Sequence, residues 1–196
     1  MKILGLTGGS GVGKSAAGAE FLACGCGVLD ADASYRRLCD TCRPMLDEIQ
    51  SVFGNVLNTE GKLDRKKLGT VVFSDPDKLS QLNAITHPYI RQAALDAFAA
   101  MEAEGKQLCV YDAPVLFEAG ADALCDCTAA VLAERDTRIA RIMVRDGISY
   151  DYAALRIDAQ HSDDWYRDRC DFCIVNNGDL DALRDQVHTV IHTILR

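Results

Sequence analysis

The sequence predicts an α/β fold in which helices cover both faces of a parallel β-sheet. Five short, nearly continuous apolar runs are separated by helical stretches, a pattern typical of strands that are buried on both faces. A glycine-rich loop joins the first run directly to the first helical stretch. The five runs are KILGL (2–6), GVLD (27–30), LCVYD (108–112), TAAVLA (128–133) and FCIV (172–175).

Length and composition favour a single domain over residues 1–196. Hydrophobic residues make up 48% of the 196 residues, which is enough for a genuine core. No apolar run reaches the ~20 residues of a membrane span or fits a signal peptide, so we expect a cytoplasmic protein that binds no membrane. The net charge of −8 argues against a general nucleic-acid binder, because affinity for a phosphate backbone depends on clustered Lys and Arg.

The first helix opens at a loop, Gly8 to Ser15, that fits G-x-x-x-x-G-K-[ST]. In such a loop the backbone N–H groups converge on phosphate oxygens, and a Cβ at the glycine positions would block the approach. Lys14 adds a positive charge, and the Ser15 hydroxyl is a candidate Mg²⁺ ligand. A plain glycine-rich turn is the alternative. The agreement of motif, preceding strand and following helix favours nucleotide binding.

The second strand ends in Leu29-Asp30-Ala31-Asp32, and in a parallel sheet this end lies on the same edge as the phosphate loop. Asp32 there has two open interpretations. It is a candidate base that takes a proton from an acceptor hydroxyl, or the N-cap of the following helix, worth about 1 kcal/mol.

Residues 33–106 contain no convincing strand and are predicted to form a helical insertion. Asp75-Pro76 and Thr86-His87-Pro88 are predicted helix starts, since a capping residue or a proline suits the first turn. No repeat or Pro/Gly-rich linker separates the insertion as an independent domain.

Charged residues follow the next two strands. Asp112 ends the third strand and is either a ligand that holds Mg²⁺ through water or the start of a turn. Arg138, Arg141 and Arg145 share one face of the next helix. They form either a lid over a triphosphate or a solvated face that pairs with nearby acidic residues. The last helix carries one apolar stripe, formed by Leu180, Leu183, Val187, Val190, Ile191 and Ile194.

Nine cysteines are a high count, and several lie close together in sequence. Without an export signal we expect no disulfides. Cys39 and Cys42 together with Cys170 and Cys173 have the spacing of a four-thiolate zinc site. Burial is favoured over zinc, because Cys173 lies in an apolar run, where a free cysteine behaves as a small hydrophobe.

The sequence resembles the dephospho-coenzyme A kinase family over nearly the whole chain. The motifs that carry the resemblance are, in order, ILGLTGGSGVGKS, LDADASYRRL, ITHPYIR, DAPVLFEAG, RIARIMVRDGISYDYAALRIDAQ and DFCIVNNGDLDAL. The order of six motifs is specific, whereas the loop alone indicates only the superfamily. The resemblance implies a three-layer P-loop kinase fold with a five-stranded parallel sheet. It implies a core (1–32, 107–134, 170–196), a helical substrate-binding insertion (about 33–106) and a helical lid (about 135–169).

The resemblance also implies the reaction: transfer of the γ-phosphate of ATP, with Mg²⁺, to the 3′-hydroxyl of the ribose of dephospho-CoA, the last step of coenzyme A synthesis. The implied catalytic residues are Asp32, Lys14 and Arg141. The implied ATP-binding residues are Gly9, Gly11, Val12, Gly13, Lys14, Ser15, Ala16, Arg141, Arg145, Asn176 and Asn177, with the two asparagines near the adenine. The implied acceptor-binding residues are Asp32, His87, Pro114, Leu116, Phe117 and Glu118.

The chain departs from the family pattern at a few positions. Ser10 and Val12 stand where the family usually has Ile and Ser, and Ala16 replaces a Thr or Ser whose hydroxyl would contact the α-phosphate. That loss is worth about 1 kcal/mol of ATP binding. Arg138 stands where the family more often has a different polar residue. His87 is either structural or in contact with substrate.

Two other functions remain as alternatives. One is a kinase for another small molecule or nucleotide. The other is a nucleotide-binding regulatory or metal-sensing module that uses the cysteines without turnover. A guanine-reading N-K-x-D motif is absent, which argues against a switch GTPase.

Overall fold

The computed structural model describes the whole chain, residues 1–196, around a five-stranded sheet with the order β2-β3-β1-β4-β5. The central strand β1 pairs in parallel with β3 and β4, and β4 pairs in parallel with β5. The predicted α/β fold with a five-stranded parallel sheet is confirmed. The strands are β1 (Lys2–Thr7), β2 (Gly27–Asp30), β3 (Leu108–Asp112), β4 (Cys127–Leu132) and β5 (Phe172–Val175).

Nine α-helices connect or follow these strands, and a short 3₁₀-helix spans Ala121–Leu124. No helix of the chain combines the length and apolarity that a membrane-spanning helix requires. The helices are α1 (Lys14–Ala23), α2 (Ala31–Thr41), α3 (Arg43–Phe53), α4 (Arg65–Val72), α5 (Pro76–Ala103), α6 (Arg135–Asp146), α7 (Tyr150–Asp158), α8 (Asp163–Arg167) and α9 (Leu180–Ile194).

The chain divides into two compact units. The larger unit comprises 1–29 and 100–196, and the smaller comprises 30–99. In the larger unit, the apolar side chains of the strands pack with α1 and α9 into one core. The apolar stripe predicted for the last helix supplies that core with Leu183, Val187 and Val190, all buried.

The smaller unit has an apolar core of its own. It is formed by the buried faces of α2, α3 and α4 and the first part of α5, with Met45, Leu46 and Ile49 fully buried. Only an isolated antiparallel bridge, between Leu57 and Leu63, interrupts its helices. The absence of a strand in the insertion was predicted from the sequence.

One predicted helix start in this unit is correct and one is wrong. α5 begins at Pro76, where the missing N–H of proline costs nothing. Thr86-His87-Pro88, however, lies inside α5. Pro88 is exposed and removes a single backbone donor, while buried side chains such as Leu82 anchor the helix on the core before it. Packing along one face therefore carries the helix through a residue that ends most helices.

Candidate active site

The glycine-rich loop connects the central strand β1 to α1 and lies at the carboxyl edge of the sheet. Gly13 is the N-cap of α1, with φ 88° and ψ 31°. The amides of Lys14 and Ser15, in the first turn, have no acceptor within the helix. These amides and the positive end of the helix dipole form the kind of site that holds phosphate.

The carbonyl groups of the same loop bond to side chains that come from distant parts of the sequence. Arg138 Nε donates to the carbonyl of Ser10 at 3.0 Å. The Arg141 guanidinium lies 3.4 Å and 3.3 Å from the carbonyls of Gly11 and Val12. Because these carbonyls bond outward, the amides that follow Ser10 in the loop can face an anion.

Asn176, directly after β5, makes the closest of these contacts to the second half of the loop. Its side-chain nitrogen donates to the carbonyl of Val12 at 2.8 Å, and the side chain is buried. A Cβ built on Gly13 would overlap this nitrogen. Gly13 is therefore required twice, by its positive φ and by the close approach of Asn176.

Lys14 and Asp112 form an ion pair at the carboxyl ends of β1 and β3. Both side chains are largely buried, with 15% and 13% of their surface exposed. Asp112, predicted as a magnesium ligand or a turn residue, thus lies beside the lysine of the loop. Carboxylate and hydroxyl oxygens are ligands that Mg²⁺ prefers, so Asp112 and Ser15 have the donor chemistry for this metal.

The predicted lid, 135–169, comprises α6 to α8. Arg145 approaches the Ser10 hydroxyl at 3.4 Å and also pairs with Asp146, which in turn pairs with Arg156 of α7. The hydrogen bond from Arg145 and the further pairing with Arg156 lower the pKa of Asp146 to about 2. Arg145 therefore combines the two alternatives for the arginine face, whereas Arg138 and Arg141 bond to carbonyl groups of the loop.

A cavity of about 760 Å³ lies beside the loop, within the size range of small-molecule sites. It is lined by Gly13, Ala16, Arg141, Asn176, Gly178, Asp179, Leu180, Asp181 and Arg184. Asn177 lies next to this lining and exchanges two hydrogen bonds with Glu134, at 2.7 Å and 3.1 Å. Its side chain thus joins the loop after β5 to the start of α6.

The residues after β3 that are predicted to bind the acceptor differ in their surroundings. Pro114 accepts a hydrogen bond from the Thr7 hydroxyl at 3.2 Å through its carbonyl, which ties the segment to β1. Leu116 has no exposed surface and packs on Gly5. Leu116 is therefore a core residue here, which argues against the predicted contact between its side chain and an acceptor.

Phe117 and Glu118 contact aromatic residues at the connection between α7 and α8. Phe117 packs edge-on against Trp165, with ring centroids 5.6 Å apart. Trp165 stacks on His161 at 3.7 Å, and His161 Nε2 lies 3.1 Å from the Glu118 carboxylate. The segment after β3 and the α7–α8 connection are thereby joined within the larger unit.

Asp32 and His87 lie in the smaller unit. Asp30, and not Asp32, caps α2: its carboxylate accepts from the amide of Ala33 at 2.9 Å. The capping interpretation of Asp32 is therefore wrong. Asp32 lies exposed in the first turn of α2, and His87 lies exposed in the interior of α5.

The cysteines are all free, and no group of three or more His, Cys, Asp or Glu side chains is arranged to hold a metal ion. Burial raises the pKa of Cys109 and of Cys125 to about 12. These two thiols are therefore neutral at physiological pH and serve as small apolar side chains.

Two residues of this site were undervalued or missed in the sequence. Arg138 ranked below the other lid arginines, yet only 6% of its side chain is exposed. Gln160, which received no role, accepts from the amide of Ser10 at 2.9 Å. A signal for Gln160 was present, because it is the last residue of the fifth family motif.

A parallel sheet whose central strand leads into a G-x-x-x-x-G-K-S loop, with arginines of α6 bonded to that loop, defines a P-loop kinase. A family model described as dephospho-CoA kinase matches residues 2–182, and the chain belongs to that family.

Curated relatives and solved structures agree with this assignment. A dephospho-CoA kinase of Anaeromyxobacter dehalogenans is 43% identical over 93% of this chain and 87% of its own length. One of Corynebacterium diphtheriae is 40% identical over 93% and 92%. The structure of the dephospho-CoA kinase from Campylobacter jejuni has a TM-score of 0.72 at 30% identity, covering 99% of this chain and 98% of that one. A shikimate kinase structure from Bacteroides thetaiotaomicron, 13% identical with a TM-score of 0.53, shares the fold.

Proposed function

We propose that this chain transfers the γ-phosphoryl group of ATP to the 3′-hydroxyl of the ribose of dephospho-CoA, releasing coenzyme A and ADP. The chain belongs to the dephospho-CoA kinase family, and its phosphate loop carries the proposal. The carbonyl groups of this loop accept hydrogen bonds from Arg138, Arg141 and Asn176. The loop amides and Lys14 then hold the phosphates of ATP.

Asp32 is proposed as the base of this reaction. It takes the proton of the 3′-hydroxyl as that oxygen bonds to the γ-phosphorus and the bond from phosphorus to the bridging oxygen of ADP breaks. Two facts support the role: the Asp32 side chain is exposed in the first turn of α2, directly after β2, and Asp30 already supplies the cap of α2.

Arg141 is proposed to stabilise charge on the transferred group. Its guanidinium contacts the loop carbonyls only at 3.3–3.4 Å, a weak geometry that it can exchange for phosphate oxygens. Arg145 has a supporting role at the rim, since most of its bonding capacity is used by Asp146.

Mg²⁺, when bound, would neutralise phosphate charge, and Ser15 and Asp112 are the residues proposed to hold it, Asp112 through water. Lys14, which here pairs with Asp112, would contact the β and γ phosphates. The adenine is proposed to occupy the cavity beside Asn176 and Asn177, while Pro114, Phe117, Glu118 and His87 are proposed to face the acceptor.

The test is an acceptor panel. ADP formation is measured with dephospho-CoA, adenosine, shikimate and nucleoside monophosphates, and a K14M preparation is the control for contaminating kinases. Turnover on dephospho-CoA well above the other acceptors is expected. Turnover on another acceptor without turnover on dephospho-CoA would overturn the proposal.

A further inference from the structure

The bonds that fix Ser10 come from two residues outside the loop. The Ser10 carbonyl accepts from Arg138 Nε at 3.0 Å, and the Ser10 amide donates to Gln160 Oε1 at 2.9 Å. The same Gln160 oxygen accepts from Arg138 Nη2 at 2.8 Å. Both backbone polar groups of one loop residue, Ser10, are therefore bonded to a pair of side chains that also bond to each other.

Arg138 is the buried member of the pair, while Gln160 lies exposed beside the loop. Only 6% of the Arg138 side chain is exposed, and its second terminal nitrogen lies 3.7 Å from a carboxylate oxygen of Asp163. A Cβ on Gly9 would overlap Arg138 Nη2 and lie 2.8 Å from the Gln160 oxygen. Arg138 and Gln160 can thus approach the loop because position 9 has no side chain.

Burial of an arginine is unfavourable unless its donors are bonded, and here burial lowers the pKa of Arg138 from its ordinary value. The guanidinium remains charged, because its pKa starts so high. A buried charge whose bonds go to a loop carbonyl and to Gln160 fixes the position of that loop segment more firmly than a neutral side chain would.

We propose that Arg138 and Gln160 are positioning residues of the phosphate loop, which hold the peptide at Ser10 so that the following amides keep the shape that binds the ATP phosphates. The inference rests on the proposed binding of ATP by this loop. Neither side chain needs to contact ATP itself. Part of the phosphate affinity is thus set by α6 and by the segment directly after α7, which carry these residues.

The test is the affinity of the full chain for MgATP, measured by isothermal titration calorimetry without any acceptor. R138M and Q160M remove the bonds and keep side-chain length, and each is expected to weaken MgATP binding by roughly tenfold to a hundredfold. The double variant is expected to bind about as weakly as either single variant, because the two residues act as one unit. Q160E keeps an acceptor for both donors and is expected to stay within about threefold of the original chain.

R135M is the matched control. Arg135 is on the same helix, but its bonds go to exposed Asp158 and not to the loop, so we expect unchanged MgATP affinity. In steady-state assays, the KM for ATP should rise in R138M and Q160M while the KM for dephospho-CoA stays constant.

Unchanged MgATP affinity in folded R138M and Q160M would overturn the proposal, and so would an equal rise of both KM values. If these variants do not fold, R138K decides, because one ammonium group cannot bridge Ser10 and Gln160 as the guanidinium does. R138K should bind MgATP severalfold more weakly, and wild-type affinity would again overturn the proposal. MgATP binding is measured without an acceptor. A failure of the acceptor panel would therefore overturn the proposed function without deciding whether Arg138 and Gln160 position the loop.

Discussion

Asn176 donates a hydrogen bond of 2.8 Å to the carbonyl of Val12, across 164 positions of sequence. The donor side chain is buried, so neither group can exchange this bond for one to water. The residue after β5 therefore fixes the loop that follows β1. The two segments can approach this closely because Gly13 has no side chain.

Replacing Gly13 by alanine should abolish most nucleotide binding. The new Cβ overlaps Asn176 and the positive φ disfavours any L side chain, so we expect MgATP affinity to fall at least about a hundredfold. Calorimetric titration measures this. G18A is the control: Gly18 is inside α1, and a Cβ there meets nothing within 4 Å. G18A should bind MgATP normally and be equally or more stable; a G13A chain that does the same would refute the requirement.

Asp112→Asn should raise the Mg²⁺ requirement. Asparagine keeps the shape but loses the charge that pairs with Lys14 and would hold the metal through water, so the Mg²⁺ concentration for half-maximal activity should increase about 10–100-fold. Initial rates over a Mg²⁺ series at fixed ATP give this value. D168N, at an exposed position after α8, serves as the comparison and should match the original chain. Identical Mg²⁺ curves for D112N would assign Asp112 to structure alone.

Asp30 and Asp32 are two positions apart but should respond in opposite ways. Asp32→Asn should reduce kcat by roughly 10²–10⁴ with little change in Tm, because Asp32 does not cap α2. Asp30→Ala should lower the stability of α2 by about 1 kcal/mol, because it removes the cap bond to Ala33. Steady-state kinetics and thermal melts on both variants separate the roles. A D32N enzyme with the original kcat would leave Asp32 without a catalytic function.

Asp146 should contribute to stability in acid. Its folded pKa, about 2, lies below the ~3.9 of an unfolded aspartate, so its contribution is present above about pH 4 and is lost as the pH falls towards 2. In Asp146→Asn this part of the acid-induced loss should disappear, so Tm should fall less between pH 5 and pH 2. Thermal melts over that range test the expectation, with D151N, at an exposed position of α7, as the control. A D146N curve parallel to the original would show that the ion pairs are too weak to matter.

Most of the fold could be predicted because its signals are local. Three of the five strands match the apolar runs residue for residue, and β1 and β4 differ by one residue at their ends. The apolar stripe of α9 was likewise visible in its spacing. Pro88 was misinterpreted because a local rule for helix starts competes there with packing of α5 on the smaller core, which no short window contains.

The site divides in the same way. Lys14 and Ser15 follow from a motif in consecutive residues. Arg138 and Gln160 bond to Ser10 from 128 and 150 positions away in the sequence. No short stretch of sequence therefore indicates that Arg138 is buried or that the two side chains bond to each other. The cap of α2 was ambiguous between two aspartates, and only the backbone path after β2 selects Asp30.

The contact between position 9 and position 138 also limits how relatives of this chain can diverge. A side chain at position 9 would overlap the guanidinium of Arg138 where it now lies, so the effect of a substitution at position 9 should depend on the residue at position 138. With this arginine bonded to the loop, the glycine is difficult to replace, and we expect the two positions to vary together among relatives.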